Sequence, residues 1–216
     1  MKLDHSSSVL VIVGGWNSHI FTQDWIKRYL FPTEQEEFKI DLLVSQGFNA
    51  QFVSPRISSK EVHILLQENR LSFIPVENKN EHFDRIQELA LQLADYLPHT
   101  PVTAYGVNFL FTEDRSVSEH LLNLIHMGDL EKIEQSGVSV TTEQYTRRLS
   151  LNGRILNFTI GLEEEKVTFD FNFDFKIPDL VAFKAGISET SILELRQEAV
   201  KFIAEVYSLE LEGESE

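Results

Sequence analysis

The segment Lys166-Val-Thr-Phe-Asp-Phe-Asn-Phe-Asp-Phe175 alternates apolar and polar residues without interruption. Side chains on a strand point to opposite faces in turn. Val167, Phe169, Phe171, Phe173 and Phe175 therefore share one face, and Thr168, Asp170, Asn172 and Asp174 share the other. A helix, which turns about 100° per residue, scatters those five apolar side chains around its axis. The segment demands a half-buried strand, with an aromatic face under helices and a polar face turned away from them.

The same logic runs along the rest of the chain. Ser8 to Gly14 reads as a buried strand, because Val9 to Val13 is a short, continuous, β-branched run closed by glycines. A helix follows, capped by Thr22, with Asp24 at its positive end and Pro32 as its stop; Trp25, Ile26, Tyr29 and Leu30 form its apolar face. Strands are predicted over Phe38–Ser45, Ala50–Ser58, Val62–Gln67 and Arg70–Val76, the last two as a hairpin. Phe83, Ile86, Leu89, Ala90, Leu93, Tyr96 and Leu97 recur at spacings of three and four, which predicts a helix from Glu81 to Leu97, closed by Pro98 and Pro101.

A strand from Val102 to Thr112 leads to Ser116-Val-Ser-Glu119, a capping box that opens a helix to His126, followed by a helical turn through Ile133. Three strands come next, Val138–Leu151, Arg154–Leu162 and Lys166–Phe175. Asn152-Gly153 between the first two marks a type I′ turn, since both residues tolerate positive φ. Ile177 to Gly186 reads as a loop. Ser188 is expected to cap a final helix carrying the stripe Ile192, Leu195, Ala199, Phe202, Ile203 and Val206.

The resulting order is β-α-β-β-β-β-α followed by β-α-β-β-β-α, nearly one unit twice. The expected fold is α+β: a curved, mainly antiparallel sheet with long helices on one face, built from halves at residues 1–98 and 99–209 that share one domain. An acidic flexible tail at 210–216 completes the chain. This layout resembles the duplicated helix-on-sheet arrangement of the TATA-binding-protein fold, and one copy of it resembles the helix-grip folds. The resemblance implies that ligands sit on the sheet face that helices leave open. The DNA-binding versions expose a basic, aromatic-studded sheet, which this acidic chain does not match.

Chemistry is sparsely signalled. Gly14-Gly-Trp-Asn-Ser-His19 follows a strand, yet it has neither the Gly-x-Gly-x-x-Gly spacing nor a Gly-Lys-Ser/Thr ending, so it reads as a turn rather than a phosphate loop. Trp16 and Phe21 after it are either an exposed apolar contact or a staple under the first helix. The seven histidines form no His-x-x-x-His pair, and no Gly-x-Ser-x-Gly elbow occurs. The chain has no cysteine, which removes disulfides, thiolate metal sites and a Cys nucleophile. No catalytic residue, cofactor or metal is assigned.

The candidate binding residues lie on the open sheet face. Asp170, Asn172 and Asp174 offer oxygen ligands suited to a hard cation, but alternate residues on a strand lie about 7 Å apart, too wide for one compact ion. A solvated face or a partner surface fits better. Arg148, with Thr146 and Ser150 beside it, is expected near the Asp170/Asp174 row, where it either pairs across strands or contacts an anion or peptide.

The formal net charge is −15, and four of the acids lie between Leu209 and Glu216, so most of it belongs to the body. Such a balance disfavours nucleic acid and anionic membranes as partners. With 216 residues, no targeting signal and no long apolar run, the expectation is a cytoplasmic, non-enzymatic protein-interaction or assembly module whose partner is another protein, a second copy of the chain included. Two alternatives stay open: a small-molecule binder or enzyme with a cavity between sheet and helices, and an acidic mimic that blocks a nucleic-acid-binding protein.

Overall fold

The structure is a computed structural model that describes residues 1–33, 36–44, 53–116, 130–163 and 165–212. Its elements are β1 (Lys2–Leu3), β2 (Leu10–Gly14), α1 (Gln23–Tyr29), β3 (Lys39–Val44), β4 (Val53–Ser58), β5 (Val62–Gln67), β6 (Arg70–Pro75), α2 (Asn80–Tyr96), β7 (Val102–Asp114), α3 (Leu130–Gln135), β8 (Glu143–Leu151), β9 (Arg154–Leu162), β10 (Lys166–Lys176), α4 (Leu180–Glu189) and α5 (Ile192–Tyr207). The class is α+β with a large, mostly antiparallel sheet. Hydrogen bonding runs in the order β3-β4-β5-β6-β2-β7-β10-β9-β8, and β1 pairs β7 off this path. The chain divides into two compact units, one of residues 5–108 and 174–195 and one of residues 1–4, 109–173 and 196–216.

In the first of these, the β2–β6 unit, β2 lies between β6 and β7, antiparallel to both, with Leu10 opposite Phe73 and Val107. Alternation sends Leu10, Ile12, Ile57, Val62, Ile64, Leu66, Leu71 and Phe73 to one face, where all are buried. Helix α2 covers that face with Phe83, Ile86, Leu89, Ala90 and Leu93, each fully buried; at about 1.5–3 kcal/mol per side chain, this stripe is what holds the helix to the sheet. Thr22 caps α1, its hydroxyl accepting from the Trp25 amide at 3.3 Å. Trp16 is buried and donates its indole N–H to the Ile12 carbonyl at 3.1 Å, and Phe21 is buried beside Trp25, so both act as staples rather than exposed contacts. Arg85 ties α2 down: it donates to the Leu30 carbonyl, ion-pairs with Glu36 and Glu88, and lies 5.7 Å from the Phe31 ring centre.

The β8–β9 unit is an aromatic core. Phe109, Phe111, Phe158, Phe169, Phe171 and Phe173 are all fully buried, and Phe202 of α5 meets Phe158 and Phe171 edge-on at 5.2 and 5.8 Å. Arg154 pairs with Glu198 of α5 at 2.7 Å. The hairpin β8–β9 closes through Asn152 (φ 49°) and Gly153 (φ 79°), with Leu151 opposite Arg154, the two-residue turn with positive φ at both positions that the dipeptide predicts.

Three sequence expectations change. The segment Ile177–Gly186 is not a loop: Asp179 accepts from the Ala182 amide at 2.8 Å and opens α4, whose Leu180, Phe183 and Ile187 are buried. Ser188 lies inside α4 and caps nothing; the final helix starts after Ser191, which forms a capping box with Glu194. The Ser191 hydroxyl accepts from the Glu194 amide at 3.1 Å, and the Glu194 carboxylate accepts from the Ser191 amide at 2.7 Å. The strand predicted from Val138 begins at Glu143. The Ser116–Glu119 capping box and the helix to His126 lie outside the described residues.

Candidate functional site

The alternation along β10 holds for Val167, Phe169, Phe171 and Phe173, all fully buried, while Phe175 is half-buried and stacks on Tyr105 at 4.5 Å. Thr168, Asp170, Asn172 and Asp174 take the opposite side of β10. Within the β8–β9 unit, register places the polar residues in rows. Arg148 stands opposite Asn157 on β9, and the Asn157 side-chain amide donates to the Asn172 side-chain carbonyl at 2.9 Å, giving the row Arg148, Asn157, Asn172. One step along, Thr146 stands opposite Thr159, their hydroxyls 3.0 Å apart.

Arg148 is therefore not beside the Asp170/Asp174 row. Strand β9 lies between β8 and β10, and two strand spacings come to about 10 Å. Among the described residues Arg148 is exposed and has no ion pair. Its neighbour Arg147 takes the other face, and burial raises the Tyr207 pKa while the Arg147 charge opposes that rise. Asp170 is exposed to solvent, yet the protein mass around it partly desolvates its carboxylate and raises its pKa. Asp174 falls in the β2–β6 unit. Among the described residues no group of acids and histidines is arranged to hold a metal ion.

Strand β8 ends the hydrogen-bonding order. In a two-residue hairpin the closing pair, here Leu151 and Arg154, exchanges both backbone hydrogen bonds, and alternate pairs do the same up the ladder. The residues between, Ser150, Arg148, Thr146 and Gln144, turn their N–H and C=O groups away from β9. The close Thr146–Thr159 hydroxyl contact fits this, since pairs of that kind bring side chains nearest. Among the described residues, Arg148 is thus a cation on a strand edge with no further strand paired to it.

The β2–β6 unit holds a second polar cluster that sequence reasoning missed. Register puts Asp41 opposite Arg56, and Ser58 opposite both Lys39 and His63. Arg56 pairs with Asp41 at 3.1 Å, but among the described residues Arg56 Nε, Ser58 Oγ and His63 Nδ1 are buried without hydrogen-bond partners. Burial lowers the His63 pKa, the Arg56 charge lowers it further, and Asp41 opposes both. The alternation of Ser54, Arg56 and Ser58 against Pro55 and Ile57 was the available signal for the β4 half of this face.

No protein-family model matches this chain, and no curated protein matches it. The functional reading rests on the geometry. No helix among the described residues is long and apolar enough to cross a membrane.

Proposed function

We propose that this chain is a non-enzymatic assembly module of the cytoplasm that joins a second copy of itself along the free edge of β8. The observation that carries the reading is the outward set of backbone groups at Gln144, Thr146, Arg148 and Ser150 on a nine-residue terminal strand. A strand edge of this length is a template for pairing. Two copies meeting antiparallel about Thr146 set each Arg148 opposite a Gln144 and each Arg147 opposite a Tyr145, so no like charges face each other directly. The absence of cysteine suits a reducing compartment. The two-series reading of the elements is part of the proposal, supported by the long helix that follows each run of strands, α2 and α5.

Light scattering on the size-exclusion eluate tests it. The chain is expected to run as a dimer at micromolar concentration, and Thr146→Pro as a folded monomer. Proline there removes an outward N–H and spares the β8–β9 ladder. Thr146→Lys provides the same reading if proline impairs folding. A monomeric parent chain, or dimers in both variants, overturns the proposal.

A further inference from the structure

The β2–β6 unit contains an open cleft of about 600 Å³ between α1, the segment leading into β3 and the end of β4. Its lining brings together Lys27, Lys39 and Lys60, three cations from separate places in the sequence of a strongly acidic chain. Among the described residues none of the three ammonium groups has an ion pair or hydrogen bond. Ser58, directly opposite Lys39 in the β3–β4 ladder, also lines the cleft, and among the described residues its buried hydroxyl has no partner. The other polar groups there are mostly committed. The Thr33 hydroxyl donates to Glu36 at 2.9 Å, Glu36 is held by Arg85, and the Ser59 hydroxyl donates to the Val62 carbonyl at 3.1 Å. Among the described residues Glu37 is the lining acid left over against three lysines.

We propose that this cleft binds a phosphorylated small molecule, a function separate from pairing at β8. Three separate point charges and one free hydroxyl suit a tetrahedral anion with oxygens in several directions. A planar carboxylate is better met by a guanidinium fork, and no arginine lines the cleft. Inorganic phosphate alone would occupy little of the volume, which falls within the range of ordinary small-ligand pockets, and Phe38 supplies an apolar wall for the remainder of a larger ligand.

Pyrophosphate titrated calorimetrically into the full chain at low salt is the test. Saturable binding is expected, weakened about tenfold by Lys39→Gln and by Lys60→Gln, since each removes a charge-assisted contact. Ser58→Ala should weaken it less, and Lys201→Gln, on the exposed side of α5, should leave it unchanged. Four results overturn the proposal: no saturation at millimolar pyrophosphate, equal weakening by Lys201→Gln, no weakening by the two cleft lysine variants, or citrate binding as tightly as pyrophosphate. Thermal melts of the exposed lysine variants confirm that each remains folded.

Discussion

Asn157 and Asn172 join β9 to β10 through their side chains, the amide of one donating to the carbonyl of the other at 2.9 Å on the polar face of the sheet. Both are half-buried. The bond closes the row that begins with Arg148 on β8, so it ties β9, the strand next to β8, to β10.

Asn157→Ala should cost about 1 kcal/mol, the usual net value of such a bond, and Asn172→Ala at least as much. The two losses should overlap, with the double variant falling short of their sum in a cycle measured by urea denaturation. Fully additive losses would mean that the bond contributes nothing of its own.

Asp170 gives the sheet a pH dependence of defined sign. Its pKa is raised in the folded state by desolvation, so the folded chain holds that proton more tightly than the unfolded chain. The resulting penalty is absent below the ordinary carboxylate range, grows as pH rises toward the raised folded value, and is fully present above it. Asp170→Asn is therefore expected to raise the urea midpoint at neutral pH and to narrow the gap to the parent chain in acid. A constant gap across pH would count against the assignment.

The start of α5 separates two serines. Ser191→Ala should destabilise by about 0.5–2 kcal/mol, because it removes a hydroxyl that satisfies the Glu194 amide. Ser188→Ala, at an exposed position inside α4, should change stability by no more than a few tenths of a kcal/mol. Comparable losses at both serines would favour the earlier helix start.

Gly186 sits inside α4, where glycine is intrinsically unfavourable, and it is there because a Cβ would lie 2.6 Å from the Tyr105 hydroxyl oxygen. Tyr105 cannot yield easily, being buried and held between Phe175 and Phe183. Gly186→Ala should therefore cost about 1–3 kcal/mol despite its better helix propensity. Adding Tyr105→Phe should recover part of that loss in thermal unfolding.

Periodicity made the individual elements legible. Alternation gave both faces of β10, and Asn152-Gly153 gave the β8–β9 hairpin. Lateral order was not legible, because alternation assigns a side chain to a face and says nothing about which strand lies next to it. Arg148 was placed beside the Asp170 row for that reason. Helix α4 was hidden by its ends: Pro178 and Gly186 read as loop residues, although Asp179 after the proline is a cap and Gly186 is required by Tyr105. The cluster of Arg56, Ser58 and His63 depends on the register of β3, β4 and β5, and the lysine cleft on the approach of α1 to the end of β4. Neither is a local property of the chain.

The position of β2 also sets a timetable for folding. Leu10 pairs with Phe73 on one side and Val107 on the other, so this early strand has no local partner and stays unpaired until much of the chain exists. The β8–β9 hairpin needs only a two-residue turn and can close within about 1–10 μs. A strand made early is thus completed late, and assembly around it carries the loop-closure cost that slows non-local sheets. Nascent chains that stall before β7 leave one edge of β2 without its partner strand, an open pairing template that makes that stage the one most in need of a chaperone.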